Sequence, residues 1–420
     1  MPPVRCRSVS INAPRNSNKA SLVSPLATPP QRVRIPPLTE TPRRICSRCI
    51  YDTSLGTITF DDEGICNYCR MIEGIEAEYR TGTPEGERVF KTIIDEIRDA
   101  GRGRKYDCIV GVSGGTDSSY MLHLAVKWGL RPLAVHYDNT WNTAVATENI
   151  RKVLGKLNVD LHTYVVDNKE ADDIFRAFFR AGVPELDGST DLALAQVLYM
   201  AADQYGVRYV LEGHSYKTEG VSPLGLLYID GRYIRSVHKQ FGSVPMRTFP
   251  NMSFLEFMKW TIIKRIRKIR PYWFINYSKE EARAFLEREY GWQYYGGHHL
   301  ENRMTAFHHS YYMPGKFGVD FRASSLSASV RAGRLRRDEA LRMYHEPPYI
   351  ERDLVEYVMK RLNLTAAELE ALMTSPRRSY RDFRTYKPWF ERLRPMFYAL
   401  AKLQLVPWSF YIKYTSKDGR

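Results

Sequence analysis

Residues 109–119 read Ile-Val-Gly-Val-Ser-Gly-Gly-Thr-Asp-Ser-Ser, and no other stretch of the chain says more about its architecture. An apolar run typical of a buried strand ends at Ser113, and a helical pattern follows over 120–128. The paired glycines Gly114 and Gly115 allow a tight turn whose N–H groups face an anion at the start of a helix. The stretch therefore predicts a phosphate-binding loop. Its members are Ser113, Gly114, Gly115, Thr116, Asp117 and Ser118, with hydroxyl donors from the two serines and a Mg²⁺ ligand in Asp117.

Strand and helix patterns alternate around this loop. Strand patterns cover 108–112, 132–138, 161–166 and 207–212, and helical patterns cover 85–101, 120–128, 144–157 and 191–205. This order predicts an α/β fold with a doubly wound parallel sheet, which binds ligands at the carboxyl ends of its strands. Polar residues at those ends are candidates for contacts with a nucleotide or its partner substrate: Asp138, Gly213, His214, Ser215 and Glu219. Asp191 is either a helix cap or a substrate contact.

Four of the six cysteines have the spacing of a metal site. Cys46, Cys49, Cys66 and Cys69 form the pattern C-x2-C-x16-C-x2-C, which can close one tetrahedron around structural Zn²⁺. A disulfide pair and an iron–sulfur cluster are the alternatives. The other two cysteines are Cys6 and Cys108, and this usage of cysteine fits a reducing, cytoplasmic setting.

Length and charge predict several regions and an anionic partner. The 420 residues divide into a disordered basic arm (1–43), a zinc knuckle (44–80), an ATP-binding α/β domain (85–250) and a mostly helical region for substrate or partner (251–420). The net charge of +15 favours nucleic acid, anionic lipid or phosphorylated substrates. The apolar and basic stretch 254–277 reads as a helix that packs on the protein, with a membrane-surface helix as the alternative.

Residues 290–322 are rich in aromatic, histidine and charged side chains. The favoured interpretation is a sugar and phosphate pocket, since aromatic rings stack on pyranoses while Arg and Lys bind phosphates. The candidate substrate residues there are His299, Glu301, Arg303 and Asp320. A second metal site at His298, His299, His308 and His309 is the alternative, but their spacing lacks the logic of a ligand helix.

The loop Ser-Gly-Gly-x-Asp-Ser resembles the pyrophosphate loop of the PP-loop ATPases, which cut ATP between its α and β phosphates. Over about residues 43–375 the chain is similar to the N-acetyl sugar amidotransferase family of bacterial surface-polysaccharide (O-antigen and lipopolysaccharide) biosynthesis. The segments that carry this likeness are the cysteine knuckle, the loop, 211–220, 291–299 and Lys316-Phe-Gly-Val-Asp-Phe-Arg322. His298 and Asn302 depart from the family pattern, where Lys and Ser are common.

The resemblance implies a ligase-type reaction. ATP adenylates the acetamido carbonyl of an N-acetyl sugar, nucleotide- or lipid-linked, and ammonia then replaces the carbonyl oxygen. An acetamidino sugar and AMP are the products. Asp117 holds Mg²⁺ in this scheme, and Lys316 and Arg322 neutralise the departing pyrophosphate.

The expected source of ammonia is a separate protein. Pro2 follows the first methionine, and no Gly-x-Cys-x-Gly nucleophile occurs, so the sequence predicts no glutaminase of its own. The resemblance implies separate glutaminase and cyclase-like subunits, and no DNA partner. A tRNA-modifying PP-loop enzyme of thiolase or lysidine-synthetase type is the principal alternative, and a non-enzymatic nucleotide-sensing module is a weaker one.

Overall fold

A computed structural model describes residues 43–54, 56–297, 300–403 and 405–417. The predicted basic arm, apart from its last residue, lies outside the described residues, as do His298 and His299. No described helix is long and apolar enough to cross a bilayer.

The N-terminal two-thirds of the chain builds a parallel sheet and its helices. The strands are β1 (Cys108–Gly111), β2 (Pro132–Asp138), β3 (Leu161–Val165), β4 (Tyr209–Leu211) and β5 (Arg267–Ile269). The helices of this part are α1 (Asn67–Tyr79), α2 (Pro84–Ala100), α3 (Thr116–Lys127), α4 (Ala144–Leu157), α5 (Asn168–Ala181), α6 (Gly188–Gln204), α7 (Gly231–Phe241), α8 (Phe254–Met258) and α9 (Lys279–Tyr290). A π-helical turn (Lys259–Ile263) and a 3-10 turn (Pro271–Trp273) flank β5.

The rest of the described chain is helical. It contains α10 (Arg303–Phe307), a π-helical segment (His308–Phe317), α11 (Arg322–Arg331), α12 (Arg337–His345), α13 (Leu354–Leu362) and α14 (Ala366–Thr374). A 3-10 turn (Tyr380–Asp382) precedes α15 (Lys387–Arg392), α16 (Arg394–Lys402) and α17 (Trp408–Thr415).

The strand order is β3-β2-β1-β4-β5, with every pairing parallel. Neighbouring residues of β1 enter different cores: Ile109 packs with Phe175 and Val197 of α5 and α6, whereas Val110 packs with Met121 of α3. Helices therefore cover both faces, which confirms the predicted doubly wound sheet. After β1 the chain forms β2 and β3 on one side of that strand, and it then forms β4 on the other side. The phosphate loop after β1 consequently lies at the topological switch point.

One strand differs from prediction. The stretch 254–277 is not one helix, because β5 interrupts it and pairs with β4. Charged side chains in and after β5 concealed the strand. Lys268 Nζ in β5 and Arg270 Nε, just after it, bind the Glu212 carboxylate at 2.7 and 3.1 Å. Burial alone would raise the pKa of Glu212, but these two cations hold it well below its usual value. With β5 in the sheet and α9 packed on α3, the α/β unit extends past the predicted boundary at residue 250.

Candidate nucleotide site and cysteine knuckle

The phosphate loop has a conformation that requires glycine. Gly114 has a φ of +83°, and a Cβ there would lie 2.2 Å from the carbonyl oxygen of Ala146. Ser113 Oγ lies 3.3 Å from Ser118 Oγ and accepts the N–H of Gly115 at 3.3 Å. The first N–H groups of α3 have no carbonyl within their own helix, so they are available to an anion.

The segment before α10 holds this loop from outside. Trp292 Nε1 donates to the carbonyl oxygen of Gly114 at 3.0 Å. Asn149 of α4 bonds both the N–H and the carbonyl oxygen of Gln293, each at 2.8 Å. Sequence reasoning missed Asn149, although a polar residue on the apolar face of a predicted helix is a signal that could have found it. The aromatic segment thus contributes to the architecture of the loop.

Asp117 lies between a cation and a phenol. Lys279 Nζ, at the start of α9, is 2.5 Å from Asp117 Oδ2, and Tyr277 Oη donates to Oδ1 at 2.5 Å. Tyr272 stacks on Tyr277 with ring centroids 3.8 Å apart and donates to the Asp117 carbonyl oxygen at 2.8 Å. Sequence reasoning missed Lys279, Tyr277 and Tyr272, because nothing local distinguishes them from ordinary helix-start and turn residues.

Three carboxylates govern the charge of Lys279. Burial disfavours its ammonium, but Asp117, Glu219 and Glu301 together raise the pKa of Lys279 above its usual value. Its side chain is 25% exposed and that of Asp117 is 16% exposed, so the pair is only partly screened by water. Lys279 therefore stays protonated at neutral pH beside the phosphate loop.

Glu301 reaches the loop because its neighbours bind the end of β2. The carbonyl oxygen of Glu301 accepts from Thr143 N at 2.8 Å, and Arg303 N donates to the Trp141 carbonyl oxygen at 2.8 Å. Asn302 caps α10 and donates to Asn139 Oδ1 at 3.0 Å. This departure from the family pattern is therefore a structural bridge. A Cβ on Gly115 would lie 3.0 Å from Tyr295 Oη and 3.1 Å from Glu301 Oε1, so both groups face the loop.

The end of β4 supplies the remaining residues of the site. His214 Nε2 is 3.7 Å from Glu219 Oε2, and Trp273 Nε1 donates to His214 Nδ1 at 3.4 Å. A Cβ on Gly213 would lie 3.0 Å from the Asp117 carbonyl oxygen, which explains the glycine. Ser215 is fully buried, and its Oγ has no hydrogen-bond partner among the described residues. At the end of β2, Asp138 Oδ1 accepts from Thr140 N at 2.7 Å and closes a turn.

The two basic residues predicted to neutralise pyrophosphate are engaged elsewhere. Lys316 Nζ donates to the carbonyl oxygens of Leu372, Met373 and Ser375 at 2.6–3.2 Å, where it compensates the C-terminal end of α14. Arg322 forks onto Asp320 at 2.6 Å and donates to the carbonyl oxygens of Met343 and Glu346 at the C-terminal end of α12. These contacts give both cations a structural role, and Lys279 is the cation that the structure places at Asp117.

Two further candidates for substrate binding, Arg303 and Asp191, belong to α10 and α6. Arg303 binds Asp353 at 3.3 Å and stacks on Tyr357, and Asp191 is exposed in the first turn of α6. Of the predicted substrate residues that the structure describes, Glu219, Glu301 and the buried Ser215 lie at the site, whereas Asp320 is paired with Arg322. The predicted role of His299 concerns a residue outside the described part of the chain.

The four cysteines of the knuckle form one compact, buried cluster. All four Sγ atoms lie within 4.8 Å of one another, and the pairs Cys46–Cys69 and Cys49–Cys66 are 4.0 and 3.7 Å apart. The thiols are unbonded, so the disulfide alternative is wrong. A tetrahedral Zn²⁺ with Zn–S bonds of about 2.3 Å needs sulfur atoms about 3.8 Å apart. The cluster thus has the size of a single-metal site.

The knuckle also supports the loop that carries His214 and Glu219. Tyr68 Oη accepts the N–H of Leu224 at 2.6 Å, and Tyr51 Oη donates to the Val221 carbonyl oxygen at 3.0 Å. Lys217 pairs with Glu76 of α1 at 3.2 Å. The knuckle therefore holds residues 217–224, which follow His214 in the segment after β4.

A phosphate loop at the switch point of a doubly wound parallel sheet defines a PP-loop-type fold. Residues 301–395 match the model of the family described as the C-terminal domain of WbpG-like LPS biosynthesis proteins. This match confirms the expected likeness to a surface-polysaccharide family for that segment. An uncharacterized protein of Methanocaldococcus jannaschii is 24% identical over 322 residues, which cover 75% of this chain and 98% of the relative.

Two solved structures show a weak similarity to this chain. The U34-tRNA thiolase NcsA of Methanococcus maripaludis, solved with its [4Fe-4S] cluster, has a TM-score of 0.32 at 11% identity and covers 79% of this chain and 92% of its own. The NH3-dependent NAD synthetase of Campylobacter jejuni has a TM-score of 0.31 at 12% identity and covers 70% of this chain and 97% of its own. These scores are too low to carry the assignment, which rests on the strand order and the loop.

Proposed function

We propose that this chain is an AMP-forming, ATP-dependent amidotransferase that converts the acetamido group of an N-acetyl sugar into an acetamidino group during surface-glycan synthesis. One observation carries the proposal: Glu301, the first residue of the WbpG-like segment, faces Ser113 and Gly115 of the phosphate loop. The loop and the family-specific segment thereby contribute to one site.

The chemistry follows from the weakness of an amide as an electrophile. The amide oxygen attacks the α phosphorus of ATP, the α–β phosphoanhydride bond breaks, and pyrophosphate leaves with that electron pair. Ammonia adds to the resulting O-adenylyl imidate carbon, and AMP departs with the former carbonyl oxygen while the nitrogen loses a proton. The protein's contribution is positioning and electrostatics rather than a covalent intermediate.

The residues present suit these tasks. Ser113, Ser118 and the first N–H groups of α3 would cradle the pyrophosphate. Asp117 and Glu219 offer the hard oxygen ligands that Mg²⁺ prefers, and the ion would neutralise phosphate charge there. Lys279 is held protonated at the same place, so that its ammonium can pass from Asp117 to the departing pyrophosphate as negative charge develops.

The cysteine knuckle has the donor set and the sulfur spacing of structural zinc. Four thiolates leave no open coordination position, so its role would be to hold the wall formed by residues 214–224. A buried cluster of reduced thiols agrees with a cytoplasmic location.

Ammonia would come from separate glutaminase and cyclase-like subunits, as the family resemblance implies. The isolated chain should then use ammonium salts as its nitrogen source and should not hydrolyse glutamine. Hydrolysis of glutamine by the isolated chain would contradict this division of labour.

Nucleotide product analysis tests the reaction class. The chain is incubated with Mg·ATP and ammonium, together with either UDP-linked N-acetyl sugars or bulk tRNA. AMP and pyrophosphate that appear only with a sugar support the proposal. AMP that appears only with tRNA assigns the chain to RNA modification, and ADP with either substrate contradicts the function of the loop.

A further inference from the structure

The last two helices of the described chain, α16 and α17, carry an aromatic and cationic surface that the proposed reaction does not use. Tyr398, Trp408 and Tyr411 are in mutual contact, with ring centroids 5.0–5.8 Å apart. Lys402 lies 5.3 Å from the Trp408 ring centroid, and Arg394 Nε donates to Tyr411 Oη at 3.3 Å. We call these five residues, together with Leu403, which follows Lys402 at the C-terminal end of α16, the α16–α17 patch.

Of the patch residues, Tyr411 also packs against the main core. The opposite faces of α16 and α17 already pack inward, through the fully buried Phe397 and through Phe410, which stacks on Phe257 at 4.7 Å. By contrast, Leu403 is 68% exposed and Tyr398 is 46% exposed. Exposed apolar and aromatic groups that contribute little to a core indicate an interaction surface.

The segment of sequence that contains the patch carries charge of a single sign. Residues 392–417 contain no Asp or Glu and five basic residues, which are Arg392, Arg394, Lys402, Lys413 and Lys417. Each cation near an anionic leaflet strengthens binding roughly fivefold. Trp and Tyr prefer the headgroup level, and an exposed Leu gains by entering the acyl boundary.

From this combination we propose that the α16–α17 patch docks the protein on an anionic membrane surface. Docking would be peripheral, since it uses exposed side chains of helices that are packed on the protein by their other faces. Nucleic acid is a poorer match, because an exposed Leu adds nothing to phosphate binding. The proposal does not depend on the sugar chemistry, and its test uses no substrate.

Vesicle co-sedimentation with the full chain tests this docking. Wild-type protein should sediment with vesicles of phosphatidylcholine and phosphatidylglycerol but not with phosphatidylcholine alone. The double variant Lys402→Glu/Leu403→Ser, confirmed as folded by its melting curve, should bind at least about 25-fold more weakly. Leu403→Ser alone changes no charge, and it should retain the preference for phosphatidylglycerol while binding more weakly than wild type.

A matched control makes the same kinds of change elsewhere. Lys91→Glu/Tyr349→Ser reverses one exposed charge and removes one exposed apolar side chain, Tyr349 being 62% exposed. The control should bind like wild type. Absence of wild-type binding to anionic vesicles, or equal loss in both double variants, would overturn the proposal. The proposal would also be overturned if tRNA displaced the protein from the vesicles. It would likewise be overturned if the wild-type protein were a dimer that Leu403→Ser converts to a monomer.

Discussion

Lys279 Nζ lies 2.5 Å from Asp117 Oδ2, and this ion pair joins the start of α9 to the helix that begins in the phosphate loop. The two residues are 162 positions apart in sequence, so only the folded chain brings them together. The pair places a protonated amine where a triphosphate would carry its densest charge. Much of the proposed mechanism depends on that placement.

Replacement of Lys279 by Met should abolish most ATP turnover while the fold survives. Loss of one group that stabilises transition-state charge costs about 10²–10³ in kcat. Pyrophosphate release measures the loss, and Lys91→Met on the exposed face of α2 is the control. A Lys279→Met enzyme with wild-type kcat would remove Lys279 from the mechanism.

Gly114→Ala should damage both stability and nucleotide binding. The added Cβ meets the Ala146 carbonyl oxygen at 2.2 Å in a backbone with φ of +83°, so a loss of about 2 kcal/mol or more in unfolding free energy is expected. Gly155 in α4 has no atom within 4 Å of its added Cβ. Gly155→Ala should therefore stabilise the protein, by up to about 1 kcal/mol. Denaturant titration compares the two, and equal effects would contradict the loop geometry.

Tyr68→Phe tests whether the knuckle positions the nucleotide site. The variant keeps the ring but leaves the Leu224 N–H without its acceptor, which costs about 1 kcal/mol. We expect kcat/KM for ATP to fall about fivefold with the metal content unchanged. Tyr349→Phe on the surface should be neutral. Wild-type kinetics in Tyr68→Phe would show that the knuckle and the 214–224 loop function independently.

Metal content and ATP turnover should be affected independently by two variants. Asp117→Ala should lose ATP turnover and still contain about one equivalent of zinc, because the thiols are separate from the loop. Cys66→Ser should lower folding yield and metal content together. Metal analysis and melting curves record both effects. Loss of metal in Asp117→Ala would show that the two sites form one unit.

Glu185 should make the protein less stable as pH rises. Burial raises the pKa of Glu185 to about 7, although Tyr228 N and Tyr233 Oη donate to its carboxylate at 3.0 Å each. The folded state therefore binds the proton more tightly than the unfolded chain, whose glutamate has a pKa of about 4.3. The stabilisation is complete below that value and is lost as pH rises through about 7.

Glu185→Gln removes this titration. Relative to wild type, the variant should gain stability between about pH 5 and 8, by roughly 1–3 kcal/mol. Unfolding free energies at a series of pH values give the difference. A constant difference between the two proteins across this range would contradict the raised pKa.

Part of this structure could be predicted from sequence because its signals are local. Apolar periodicity located β1 to β4, and cysteine spacing located the knuckle. β5 escaped prediction because Arg267 and Lys268 are typical of a surface, whereas Lys268 is paired with Glu212, the residue that follows β4. An ion pair between residues 56 positions apart leaves no local trace in the sequence.

Site residues divide in the same way. The phosphate loop could be predicted because its glycines and hydroxyl-bearing residues are adjacent in sequence. The cation beside it was not, since a lysine that binds phosphate and a lysine that binds the carbonyls at a helix end have the same appearance in sequence. The motif around Lys316 predicts that this lysine neutralises pyrophosphate, but its Nζ contacts the end of α14. Lys279 belongs to no motif, and its Nζ contacts Asp117.

In the proposed reaction, the acetamido carbonyl oxygen of the sugar attacks the α phosphorus of ATP. The most direct measurement uses an N-acetyl sugar whose acetamido oxygen is a heavy isotope, with ammonium and Mg·ATP, followed by mass spectrometry of the nucleotide. Because that oxygen leaves with AMP in the proposed reaction, we expect the heavy oxygen in AMP and a nitrogen atom in its place on the sugar. Heavy oxygen that stays in the sugar, or enters inorganic phosphate, would contradict it.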